Sequence, residues 1–90
     1  MNQIEKKILA ESAAYAESEG LVLNPDEKIL NLVISALAKN LNSKGAKYCP
    51  CRALTGERIE DDKKICPCAF HKDEIRQQGH CLCRLFFKKQ

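Results

Sequence analysis

Six cysteines crowd between positions 49 and 83 of a 90-residue chain, as three Cys-x-Cys pairs: Cys49-Pro50-Cys51, Cys66-Pro67-Cys68 and Cys81-Leu82-Cys83. No cysteine lies outside that window. A stretch so rich in thiols and so poor in regular patterning must fold around what its sulfurs bind or form. A cubane iron–sulfur cluster takes four thiolates. Six sulfurs could therefore hold one cluster and leave two, the number one redox-active dithiol requires.

The rest of the composition narrows the setting. A chain of 90 residues has room for one domain and one core. At this size only about 60–65% of the unfolded surface is buried, so a metal site or crosslink adds substantially to stability. No apolar run approaches the roughly 20 residues that span a bilayer. The opening Met1-Asn2-Gln3-Ile4-Glu5-Lys6-Lys7 lacks the apolar core of a secretory signal, and Glu5 and Glu11 oppose a transit peptide. A reducing cytoplasm is the expected compartment, where clustered cysteines bind metal or do redox work more often than they form static disulfides. The net charge of +3 is mild. Basic residues are dispersed and Trp is absent, so nothing supports nucleic-acid binding. Small basic groups, Arg84 with Lys88 and Lys89 or Lys44 with Lys47 and Arg52, read first as solvated charge, and could also steer an acidic partner.

The cysteine-free first half, residues 1–45, reads as two helices. Asn2 followed by Glu5 makes a capping box, and Ile4, Ile8, Ser12 and Tyr15 share one helical face, with Gly20 as the stop. Asn24-Pro25-Asp26-Glu27 predicts a second start, with Asn24 as N-cap and Pro25 in the first turn. The apolar residues from Ile29 to Leu41 cover more than half the helix circumference, which predicts the most buried helix, ended at Asn42-Ser43-Lys44-Gly45. The cysteine-bearing half, residues 46–90, is loop-rich. Glu60-Asp61-Asp62-Lys63-Lys64 reads as a solvated turn, and a short helix is predicted over about Ala69–Gln78, ended by Gly79. His71 reads as an exposed residue of that helix. No segment alternates long enough to predict a sheet. The expected fold is therefore mainly α, a small helical domain with cysteine-rich loops.

Proline pushes the residue before it into an extended conformation, and in an extended segment residues i and i+2 project to the same side. Each Cys-x-Cys can thus aim both sulfurs at one place, or set one as a ligand with its neighbour just outside. Zinc sites more often use Cys-x₂₋₄-Cys, yet six cysteines with His71 and His80 could fill two of them. A zinc-stabilised binding module without redox turnover is therefore the principal alternative. A secreted three-disulfide scaffold lacks an export signal, and a thioredoxin-like active site lacks its Cys-x-x-Cys. A one-electron carrier with two spectator cysteines is a further alternative.

The ordered set Lys47-Tyr48-Cys49-Pro50-Cys51-Arg52, Cys66-Pro67-Cys68 and Cys81-Leu82-Cys83-Arg84-Leu85-Phe86 resembles the catalytic (beta) subunit of ferredoxin:thioredoxin reductase. That resemblance implies a mostly helical domain with one [4Fe–4S] cluster beside a redox-active disulfide. It implies Cys49, Cys66, Cys68 and Cys81 as cluster ligands and Cys51 with Cys83 as the disulfide, Cys51 attacking the target. It further implies ferredoxin as electron donor, thioredoxin or a thioredoxin-like protein as acceptor, and a possible second, variable subunit. Two features depart from the family pattern. Leu82 stands where the family has His, with His80 just ahead of Cys81, and the spacers of 14 and 12 residues differ from the plant-type ones. His80 is accordingly a candidate for the proton-handling role. Arg52 or Lys47 is expected to favour the Cys51 thiolate, and Leu82, Leu85, Phe86 and Phe70 to shield the cluster, or simply to build the core.

Overall fold

The computed structural model describes residues 1–89, and its elements run α1 (Gln3–Ser18), β1 (Leu21–Leu23), α2 (Glu27–Lys44), α3 (Arg58–Asp62), α4 (His71–Gln78) and β2 (Phe86–Lys88). The fold is mainly helical, as the sequence predicts. Helix α1 opens on the capping box: the Glu5 N–H donates to Asn2 Oδ1 at 2.8 Å and the Asn2 N–H to Glu5 Oε1 at 3.0 Å. It buries Ile8, Ser12 and Ala16, while Ile4 at its start stays 46% exposed.

Helix α2 begins two residues later than expected. Asp26 is its N-cap, accepting from the Lys28 and Ile29 N–H groups at 3.0 and 3.3 Å. Asn24 is employed elsewhere. Its Oδ1 accepts from the Asp26 N–H at 2.8 Å, its Nδ2 donates to the Arg84 carbonyl at 3.0 Å, and its own N–H donates to the Leu85 carbonyl at 3.0 Å. A buried amide with partners on both sides is more useful at this junction than at a helix end, where Asp26 serves equally well. The apolar circumference of α2 is also wider than the face it buries. Val33, Ile34, Leu37 and Ala38 are buried, but Leu32 is 71% exposed. Gly45 ends the helix in the left-handed region, φ +82°, where its N–H reaches the Leu41 carbonyl.

Two expectations about the connecting chain are corrected. The chain has a sheet: β1 and β2 pair antiparallel with Leu21 opposite Lys88, Val22 opposite Phe87 and Leu23 opposite Phe86. Each strand is three residues long, too short for alternation to register in sequence. The charged run after residue 57 is not a solvated turn. It contains α3, whose Asp61 is buried. The short helix α4 falls within its predicted span, and Gly79 at φ +86° closes it.

The pairing of β1 with β2 carries the end of the chain back to the segment between α1 and α2. Leu85 and Phe86 thereby enter one core with Ile8, Ile34, Leu37, Ile75 and four of the cysteines, Cys49, Cys66, Cys81 and Cys83. Asn24 fixes the same junction by hydrogen bonds. Replacing it by alanine leaves the Arg84 carbonyl and the Asp26 N–H without their partner, an expected loss of about 1–3 kcal/mol, read as a lower midpoint in urea. An unchanged midpoint would show that the strand pairing alone holds the two ends together.

Candidate metal and dithiol centre

The three Cys-x-Cys loops come together, and short backbone contacts rather than long elements arrange them. The first two lie side by side: the Cys49 N–H donates to the Lys64 carbonyl at 2.7 Å and the Cys66 N–H to the Lys47 carbonyl at 3.0 Å, around an isolated antiparallel bridge of Tyr48 with Ile65. Asn40 of α2 reaches the Tyr48 carbonyl through Nδ2 at 2.8 Å. The third loop turns tightly. The Arg84 N–H donates to the Cys81 carbonyl at 3.0 Å, Arg84 adopts φ +63°, and the Cys81 N–H meets the Phe86 carbonyl at 3.0 Å. The Phe86 N–H in turn points at Cys81 Sγ, 3.4 Å away. The Cys66–Pro67 peptide is cis.

The segment linking the first two motifs is anchored by the buried Asp61. Its carboxylate accepts from the Thr55 N–H, the Thr55 hydroxyl, the Gly56 N–H and Lys64 Nζ. These contacts, the Thr55 N–H above all, hold the Asp61 carboxyl below its ordinary value. A group so depressed stabilises the fold above the unfolded carboxylate value, about 4, and that contribution fades as pH falls through the lower folded value. Asp61→Asn is expected to lower the thermal midpoint at neutral pH and to flatten its fall below about pH 4. Equal midpoints for the variant and the parent at pH 7 would contradict this.

The six thiols are free, and five are buried: Cys49, Cys66, Cys68, Cys81 and Cys83. Cys51 alone is exposed. The second and third pairs thus send both sulfurs inward, with Cys81 and Cys83 Sγ 3.7 Å apart, while the first splits into one buried and one outward sulfur. Their ionisation is shared. Hydrogen bonds with Cys68 and Cys83 hold the Cys49 thiol well below its ordinary value. The Cys81 thiol is also lowered, chiefly by Cys83. The partners of these bonds, Cys68 and Cys83, are raised. Cys66 is pushed up to about 12, chiefly by burial.

Cys51 departs from expectation. Its thiol is raised, first by burial and then by the negative sulfurs of Cys49 and Cys81, which together outweigh Arg52 and Arg84. The Arg52 guanidinium is occupied elsewhere: Nη2 meets Glu74 Oε2 at 2.5 Å and the group lies over the Phe70 ring, 4.6 Å from its centroid. Two of the four expected shielding residues are likewise reassigned. Leu85 and Phe86 are buried, but Phe70 and Leu82 are 39% and 42% exposed.

His71 is not an exposed helix residue: it is 7% exposed, donates from Nδ1 to the Cys68 carbonyl at 2.5 Å, and accepts the Tyr15 hydroxyl on Nε2 at 2.7 Å. Tyr15, His71 and Phe86 pack as an aromatic trio with centroids 5.3–6.0 Å apart. The one sequence signal for this was the position of His71, three residues after Cys68 at the start of a helix. His80 is half-buried against the Phe87 ring, 5.2 Å between centroids, and its Nδ1 donates to the Cys81 carbonyl at 2.8 Å.

Among the described residues no three His, Cys, Asp or Glu side chains converge as a single metal ion would require. A polynuclear iron–sulfur cluster is bound through thiolates on its separate irons, so its ligands need not meet at one point. The donor set suits it: buried sulfurs on three loops, one facing a backbone N–H, against apolar Leu85 and Phe86.

Across residues 1–90 the chain matches the family model described as ferredoxin thioredoxin reductase catalytic beta chain. It is similar to the ferredoxin-thioredoxin reductase catalytic chains of spinach (Spinacia oleracea) and Arabidopsis thaliana, both described as chloroplastic. Each is 32% identical over 77 residues, covering 83% of this chain and 49% and 50% of theirs. The catalytic chain of Porphyra purpurea is 31% identical over 77 residues, covering 83% of this chain and 62% of its own. The chain thus spans about half the length of the plant relatives it matches.

Proposed function

Because the chain belongs to the ferredoxin thioredoxin reductase catalytic beta chain family, we propose that it is a disulfide reductase fed by ferredoxin one electron at a time. The acceptor is the disulfide of a thioredoxin or thioredoxin-like protein, and the work is done by a [4Fe–4S] cluster and an adjacent redox-active disulfide. The observation that carries this is the division of the six sulfurs, five buried and Cys51 alone exposed. Cys49, Cys66, Cys68 and Cys81 would hold the cluster, and Cys51 and Cys83 would form the disulfide. The residues from 1 to 90 act in this as one domain, whose two halves meet where β1 pairs with β2. Among the described residues no helix is long and apolar enough to cross a membrane. A reducing compartment such as the cytoplasm suits the chemistry, and a second, variable subunit is a further expected partner.

When bound, the cluster supplies one-electron storage beside a two-electron disulfide. The chain's residues do the rest. The Cys51 thiolate attacks one sulfur of the partner's disulfide, forming a mixed disulfide and releasing the partner's other sulfur as a thiolate. Cys83 then attacks Cys51 Sγ, which closes the Cys51–Cys83 bond and frees the second partner sulfur. Two electrons and two protons thereby pass to the partner. Cys83, buried where Cys51 is exposed, would make that attack from the protein's interior. His80 has Nδ1 committed to the Cys81 carbonyl, and Nε2 is the nitrogen left to carry a proton to a departing thiolate.

Two substitutions and one analysis test this. Protein purified without oxygen is expected to contain iron and sulfide and to absorb in the visible. A folded, iron-free product holding zinc would establish the binding module instead. Cys51→Ser should keep iron and lose reduction of the partner by at least a hundredfold, roughly the scale of losing a nucleophile; retained turnover would remove Cys51 from that role. Cys66→Ser should lose iron, and a stable variant with undiminished iron would remove Cys66 from the ligand set.

A further inference from the structure

One partly buried ion pair has no place in the scheme above, and it touches the loops of the two sulfurs that the scheme joins. Glu74, on α4, uses both carboxylate oxygens. Oε2 accepts from Arg52 Nη2 at 2.5 Å, and Oε1 accepts from the Leu82 N–H at 3.2 Å. Arg52 follows Cys51 directly, and Leu82 directly precedes Cys83. A single side chain on a helix therefore bridges the loop of the outward sulfur to the loop of the inward one.

We propose that Glu74 is a positioning residue that brackets the Cys51 loop against the Cys83 loop and so sets how readily the two sulfurs close into a disulfide. This rests on the assignment of Cys51 and Cys83 as the redox pair. The pair is no solvated surface contact, since the Arg52 and Glu74 side chains are only 16% and 19% exposed. A partly buried ion pair with fixed geometry orients its groups far better than an exposed one. The Arg52 guanidinium is further confined by lying over Phe70, the residue that begins the turn into α4. The bracket is formed while both cysteines are free thiols, one exposed and one buried. In that parted state the bracket adds a direct tie between the two loops. The equilibrium for closing an intramolecular disulfide depends on how often its sulfurs meet in the reduced form, so a device that restricts the reduced loops favours closure.

The measurement is a thiol–disulfide equilibrium on the cluster-containing protein, with oxidised and reduced dithiothreitol as the buffer. In it the Cys51 and Cys83 thiols become one disulfide, while oxidised dithiothreitol takes up their two electrons and two protons. Alkylation and mass spectrometry of the linked peptide read the ratio. Glu74→Ala is expected to weaken closure about tenfold, which raises the midpoint potential by about 30 mV. Glu74→Gln keeps an acceptor for the Leu82 N–H and weakens the tie to Arg52, so its shift should fall between. Arg52→Ala combined with Glu74→Ala should shift closure by no more than Glu74→Ala alone, because the two residues act as one unit. An unchanged equilibrium in Glu74→Ala, even with a lower urea midpoint, would make Glu74 a structural brace and overturn the proposal. Should that variant fail to fold, Glu74→Gln decides the matter by the same readout. A parent protein that forms no Cys51–Cys83 disulfide at any buffer ratio would overturn the redox assignment and this proposal together. A parent disulfide that Glu74 leaves untouched would overturn this proposal alone.

Discussion

Five buried thiols on three irregular loops have to be held in place together, and this constraint governs the molecule. Burial disfavours each charge, and each charge disfavours the next. The sulfurs act on one another: Cys81 and Cys83 Sγ lie 3.7 Å apart, and the Cys49 and Cys81 thiols are lowered while those of Cys68 and Cys83 are raised. Such an arrangement is sensitive to position, because a displaced donor strands a buried charge. The loops that carry the sulfurs therefore have to be held by groups other than the sulfurs themselves.

That holding follows one pattern in all three loops. A backbone carbonyl at or next to a cysteine is taken by a side chain from beyond the Cys-x-Cys itself. Asn40 takes that of Tyr48, His71 that of Cys68, and Asn24 that of Arg84. Irregular backbone that enters a core needs partners of this kind, since it has no helix or sheet to supply them. In the third loop the demand is greatest. Arg84 sits at φ +63°, a conformation that costs a non-glycine residue about 1–2 kcal/mol. The Asn24 amide on its carbonyl and the pairing of Phe86 with Leu23 hold it there. Small domains with little regular structure concentrate their specificity in such single contacts.

What was legible in the sequence was local. The Asn2 and Glu5 box, and Gly45 and Gly79 after their helices, are decided within one turn of chain, and each appears where the residues predict. The gathering of the cysteines followed from their crowding. What escaped was decided across the chain. Asn24 looked like a helix cap because its partner, Arg84, is 60 positions away. Asp61 looked like one member of a solvated run because the N–H groups it collects, at Thr55 and Gly56, have no side-chain signature. His71 looked exposed because Tyr15, which caps its ring, belongs to another helix. Phe70 and Leu82 looked like shielding by composition alone, yet the apolar volume beside the sulfurs is filled by Leu85 and Phe86, carried inward by the strand pairing.

The single outward sulfur also fixes the direction of any exchange with another protein. A disulfide on a partner can be met by Cys51, since the other five thiols lie beneath the surface. In the proposed reaction a partner attached to Cys51 would cover the outer side of that sulfur, and the second attack, by Cys83, would come from the protein's interior. Release would then be outward, on the side away from Cys83, as in-line thiol–disulfide exchange requires. The Cys51 thiol is raised, first by burial and then by the sulfurs of Cys49 and Cys81, so it has to give up its proton as it attacks.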